Sequence, residues 1–139
     1  MKFFDTLYRR LSWCRPPIPS VITILLILWL TLAPKPVGEM DVPLFPGIDK
    51  VVHACMFGFL TAVMWVDCGR RDMQWKFPSL RCTALLASAS MALGIAIEFL
   101  QHSMGLGRSL EWADMAADAA GCLCAVAMIV IARKHINDF

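Results

Sequence analysis

Four apolar blocks run through the chain: Ile18–Ala33, Val51–Val66, Thr83–Phe99 and Met115–Ala132, interrupted only by His53, Glu98 and Asp118. Each is 16 to 18 residues long, near the short end of the ~17–25 that cross a bilayer as a helix. A flanking residue or two at the interface makes each long enough. A soluble helical bundle would carry a polar face at helical period, and the first, third and fourth blocks carry none. The pattern predicts an all-α polytopic membrane protein, a four-transmembrane-helix bundle. Residues 1–17 form a basic N-terminal segment, 18–132 the membrane domain and 133–139 a tail.

Proline and glycine punctuate the links. Pro16, Pro17 and Pro19 precede the first span, where proline suits a helix's first turn; Pro34 and Pro36 end it. The exit TLAPKP lacks an A-x-A pattern, so an uncleaved first helix is expected. Pro43, Pro46 and Gly47 make the following link a turn. Before the first span, Phe4, Leu7 and Leu11 at three- and four-residue steps fit either a short amphipathic helix on the leaflet or a basic tail.

Charge orients the bundle. Only 17% of residues are charged, against ~25% in soluble domains, and a net charge of +2 implies no nucleic-acid partner. Lys2, Arg9, Arg10, Arg15, Arg70, Arg71, Lys76, Arg81, Arg133 and Lys134 fall on one side, and only Lys35, Lys50 and Arg108 on the other. Ten against three puts both termini in the cytoplasm by the positive-inside rule. Six cysteines without a CxxC motif read as small packing residues. Cys14, Cys68 and Cys82 lie on the reducing side, and Cys122 and Cys124 point away from each other.

Small residues repeat every fourth position on the third helix (Ala84, Ser88, Ala92, Ala96) and on the fourth (Ala113, Ala117, Gly121, Ala125). Such rows let membrane helices approach closely, so these two helices are expected to pack on each other. Asp114, Asp118, Gly121 and Ala125 share one face, as do Glu98, Gly94, Met91 and Ala87. Asp49 and His53, one turn apart, share a face of the second helix with Met56 and Leu60. In an up-and-down bundle, Asp49, Lys50, His53, Glu98, Gln101, Asp114 and Asp118 arrive within a turn or two of one depth, in the outer third, beneath Arg108. An ionisable group inside a span is costly and marks a site by default.

These residues carry a resemblance. Asp49-Lys50-x-x-His53 with Phe57, Glu98-x-x-Gln101, and Gly107-Arg108 leading to Asp114-x-x-x-Asp118-x-x-Gly121 look like the VanZ-like family of small bacterial membrane proteins, as does the TLAP exit of the first helix. The match touches residues 31 to 121. One departure stands out: Asp118 occupies a position that is usually asparagine. The resemblance implies a protein of the bacterial cytoplasmic membrane acting at the envelope, whose founding members lower susceptibility to teicoplanin. It carries over no settled reaction.

Three readings of the outer cluster compete. One is a site for an envelope or lipid-linked ligand, with His53 and Glu98 as acid/base candidates and Asp49, Lys50, Gln101, Arg108, Asp114 and Asp118 as binding residues. A second is a metal or cation site, since Asp49, His53, Glu98 and Asp114 are hard or borderline ligands. No H-E-x-x-H spacing is present, so the leading reading has neither metal nor cofactor. The third is a closed polar network fixing helix register. Asp49, Glu98, Asp114 and Asp118 face only Lys50 and Arg108, and a closed network should balance better. There is no Ser/His/Asp nucleophile arrangement, and Gly105 and Gly107 follow no strand, so they form no phosphate loop. Asp67, Asp72 and Glu111 read as solvated link acids, dispensable to function.

Overall fold

The computed structural model describes residues 17–33, 47–70, 76–104 and 111–137. They form four helices: α1 (Ile18–Leu32), α2 (Ile48–Gly69), α3 (Leu80–Ser103) and α4 (Trp112–Asn137). The N-terminal segment lies outside the described residues apart from Pro17. The tail expected from residue 133 continues α4 to Asn137. Helix α2 begins after Gly47, whose φ of 89° is a left-handed conformation that costs glycine little. Helix α3 begins at Ser79, whose hydroxyl accepts from the Cys82 backbone N–H at 3.1 Å, an N-cap bond.

Contacts at the helix ends establish an up-and-down order, with consecutive helices antiparallel. At one end Ser20 of α1 meets Asp67 of α2, and Arg133 of α4 donates to the Pro78 carbonyl just before α3. The thiols of Cys68 and Cys82 lie 3.2 Å apart at this end. At the other end Gln101 of α3 meets Thr31 of α1, and His53 of α2 meets Asp118 of α4.

The bundle is inverted relative to a soluble one. Ile22, Leu25, Leu26, Trp29, Phe59, Leu85 and Leu123 are exposed, while Thr61, Thr83, Ser90, Glu98, Gln101 and Asp118 are buried. Hydrocarbon is the solvent that suits such a surface. The buried threonine hydroxyls bond back to a carbonyl four residues earlier: Thr31 donates to the Ile27 carbonyl, Thr61 to that of Phe57 and Thr83 to that of Ser79. This back-bonding lets threonine sit in an apolar helix. Helices α2, α3 and α4 are long and apolar enough to cross a membrane, and α1 is a shorter apolar helix of 15 residues, about 22 Å at ~1.5 Å per residue. The molecule is a four-helix membrane bundle.

Packing departs from expectation in one respect. Helices α3 and α4 do pack on each other, but not through their small-residue rows: Gly121 of the α4 row lies against α2. A Cβ on Gly121 would overlap the Ala54 carbonyl, and one on Gly58 would lie 2.9 Å from the Gly121 oxygen. The most extensive helix pair is therefore α2 with α4. Ala84, Ser88, Ala92 and Ala96 of α3 are exposed. Helix α3 turns in its other face, Ala87, Ser90, Gly94, Ile97 and Glu98, and touches α4 where Gly94 lies against the Asp118 carboxylate.

Candidate functional site

Side chains from three helices converge at the end of the bundle where α2 and α4 begin and α3 finishes. Their assembly follows from helix phase. Lys50 and His53 are three residues apart on α2, Asp114 and Asp118 four apart on α4, so each pair projects from one face. Glu98 meets them from the last turns of α3.

Two connected centres result. In the outer one the Lys50 ammonium is paired with Asp49, with Glu111 at 2.7 Å and with Asp114 at 2.8 Å. Glu111, expected as a solvated link acid, is thus part of the cluster. Its side chain is half exposed, whereas that of Asp114 is largely covered.

One turn deeper, His53 Nδ1 lies 3.0 Å from Asp118 Oδ1. An ionised Asp118 can only accept, which makes Nδ1 the donor; a neutral ring would then keep its lone pair on Nε2. The imidazole stacks over Phe57, ring centroids 6.5 Å apart, and Phe57 is fully buried. Asp118 is 2% exposed, and so is Glu98. Glu98 Oε1 and Asp118 Oδ2 have no hydrogen-bond partner among the described residues. A ring nitrogen of His53 and carboxylate oxygens of Glu98 and Asp114 all lie within 4.8 Å of one another. Buried carboxylate oxygens are costly to leave unsatisfied, and here two belong to carboxylates grouped around the His53 imidazole.

The residues singled out from sequence divide accordingly. Asp49, Lys50, His53, Glu98, Asp114 and Asp118 are brought together. Gln101 is buried, but its amide donates at 2.7 Å to the Thr31 carbonyl, tying α3 to the last turn of α1. Arg108 lies outside the described residues.

An apolar groove of about 560 Å³ adjoins the cluster, running between α2 and α4. Val51, Cys55, Phe59, Cys124 and Met128 line it, and Lys50 stands among its lining residues. The groove follows from the close helix crossing: Gly58, Ala117, Ala120 and Gly121 leave room where larger side chains would fill it. Sequence reading missed it because the same small residues signalled packing alone.

At the opposite end of the bundle is a polar contact that sequence reading placed in solvent. Asp67 is 4% exposed. Its Oδ2 accepts from the Ser20 backbone N–H at 2.9 Å and from the Ser20 hydroxyl at 2.6 Å, and its Oδ1 lies 3.7 Å from Arg70 Nη1. Arg70, expected only to set topology, is buried as well. Asp67 caps α1 from a neighbouring helix, because Pro17 at the N-cap offers no side-chain acceptor and a carboxylate complements the positive end of the helix dipole.

A protein-family model described as VanZ/LLP1 matches residues 18–133, the whole of the described bundle save its last turn. No curated protein and no solved structure matches the chain. The match spans all four helices and every clustered residue, and the chain belongs to the VanZ-like family.

Proposed function

We propose that this VanZ-like membrane protein acts at the bacterial envelope by holding a lipid-linked or envelope ligand at the polar cluster, in the outer half of the cytoplasmic membrane. The observation that carries this reading is the position of Lys50, which belongs both to the ion cluster and to the lining of the apolar groove. An amphiphile fits that junction: its hydrocarbon chain lies along α2 and α4, and its headgroup reaches Lys50, His53 and Glu98. The ten-to-three division of Lys and Arg supports the outward orientation and cytoplasmic termini. His53 and Glu98 are the groups set to move a proton on such a headgroup. Membership of a family whose founding members lower teicoplanin susceptibility makes glycopeptide tolerance the phenotype to measure.

The test pairs bound lipid with phenotype. Full-length protein purified from native membranes should carry an amphiphile that is enriched over bulk lipid, seen by native mass spectrometry. Ala120→Phe, which fills the groove, should lose it. Glu98→Gln, nearly isosteric, should fold and express normally yet fail to restore teicoplanin susceptibility to the parental level in a deletion strain. A bound-lipid profile equal to bulk, or full complementation by Glu98→Gln, overturns the proposal.

A further inference from the structure

We infer that His53, Glu98 and Asp114 form a binding site for one divalent transition-metal ion, zinc or manganese, with Asp118 as the residue that orients the histidine. The inference rests on the reading of this cluster as a ligand site and deepens it: His53 and Glu98 become ligands of the ion in place of their acid/base role.

Three observations lead to it. The three candidate ligand atoms already lie within 4.8 Å of one another. Ligands about 2.0–2.2 Å from a tetrahedral ion are roughly 3.4 Å apart, so closure takes about an ångström of side-chain movement. Second, Glu98 is buried and its Oε1 lacks a hydrogen-bond partner among the described residues. A buried carboxylate with one oxygen unsatisfied, grouped with an imidazole and a second carboxylate, suits a cation. Third, the Asp118–His53 Nδ1 bond is the arrangement in which a carboxylate fixes the tautomer of a metal-ligating histidine and leaves Nε2 to coordinate. No closed network of protein groups needs all three features.

The chemistry of the donors selects the ion. One imidazole and two carboxylates suit zinc or manganese; magnesium and calcium favour all-oxygen sets. Three protein ligands leave a coordination position open. An oxygen of an anionic headgroup can fill it, which removes the difficulty of seating an anion among carboxylates. The neighbouring set Asp49, Glu111 and Asp114 also brings three carboxylate oxygens together, but the Lys50 ammonium is paired with all three acids. A cation is already there, so the metal is assigned to the deeper set, to which Asp114, shared by both, can offer its second carboxylate oxygen.

The experiment uses the full chain in detergent, stripped with EDTA and dialysed against Zn²⁺, Mn²⁺ or Mg²⁺. Bound metal is counted by elemental mass spectrometry and thermal unfolding is followed in parallel. One equivalent of Zn²⁺ or Mn²⁺ per chain is expected, with a raised Tm, and none of Mg²⁺. Glu98→Gln and Asp114→Asn should each lower the affinity at least tenfold. Asp118→Asn should lower it by about 10- to 100-fold, the usual effect of losing such a partner. His102→Ala, which removes an exposed histidine at the end of α3, should leave it unchanged. Absence of stoichiometric binding, or binding that survives both Glu98→Gln and Asp114→Asn, overturns the inference. Measuring amphiphile retention on the stripped protein separates the two claims: metal binding without enriched amphiphile defeats the lipid reading alone, and enriched amphiphile without metal binding defeats this one alone.

Discussion

Asp67 and Glu98 are two buried acids at opposite ends of one bundle, and their surroundings give them opposite roles. Asp67 accepts from both the backbone and the hydroxyl of Ser20, so Asp67→Ala leaves two buried donors and Arg70 without that carboxylate. Stability should fall by about 1.5–3 kcal/mol, the range for losing hydrogen bonds to a charged group, and Asp67→Asn should fall less. Thermal unfolding in detergent checks this, with Asp72→Ala as the link-acid reference; equal Tm values for Asp67→Ala and Asp72→Ala would sink the capping role. Glu98 offers the contrasting case. Its Oε1 has no hydrogen-bond partner among the described residues, so Glu98→Gln takes a charge out of a low-dielectric site. The metal-free variant should be as stable as the parent or more so while losing activity; a clear drop in Tm, restored when Arg108→Ala is added, would instead mark Glu98 as half of a structural pair. Gly94 sits between these extremes: an added Cβ would come 2.5 Å from Asp118 Oδ2. Gly94→Ala should therefore displace Asp118 from His53 and cost about 1–3 kcal/mol, as overpacking does.

Among the helices, the α2–α4 crossing holds the site's two halves in register. His53 on α2 and Asp118 on α4 can pair because Gly121 lets α4 lie against the Ala54 carbonyl of α2. That neighbour is backbone and cannot rotate away, so Gly121→Ala should cost roughly 3 kcal/mol, the upper end for overpacking, and separate His53 from Asp118. The α3 row makes the control. Ala92 is exposed, and Ala92→Leu should change stability by no more than about 0.5 kcal/mol. Unfolding measurements on the two variants decide the matter; equal losses would restore the α3 small-residue row as a packing face, as its spacing first suggested. Equal spacing on two helices does not say that they face each other, since each helix has several sides and several neighbours.

For the whole molecule, an apolar exterior around an interior that carries buried polar groups beside its hydrophobic core makes the bilayer part of the fold. Orientation then decides which compartment reaches the cluster. Cysteines placed as Met40→Cys and Leu106→Cys, in a chain stripped of its native cysteines, should react with an impermeant thiol reagent from outside the cell. Gln74→Cys should not. Labelling at position 74 alone would invert the bundle and place the Lys50–His53–Glu98 cluster on the cytoplasmic side. The short α1 bears on the same question. At 15 residues it is shorter than the other three, and its buried side is tied at both ends, by Asp67 at Ser20 and by Gln101 at Thr31. Those ties hold it in the bundle where its own length is least suited to the bilayer.

The apolar blocks by themselves determined four helices, their order and the depth of each polar group, because hydrophobic length and helix rise depend only on positions along the chain. Depth was enough to bring Asp49, Lys50, His53, Glu98, Asp114 and Asp118 to one end. What depth cannot supply is direction around each helix axis, and the tertiary structure decided everything that depends on it. It turned the α4 small row toward α2, opened a groove beside Lys50, drew Glu111 into the cluster and sent Gln101 to the Thr31 carbonyl. It also took Asp67 and Arg70 out of the link and buried them at the far end. The reason is that a polar residue next to an apolar block reads as solvated until a partner is known. Asp67's partner, the N-terminus of α1, lies 47 residues earlier in the chain, and only folding brings the two together.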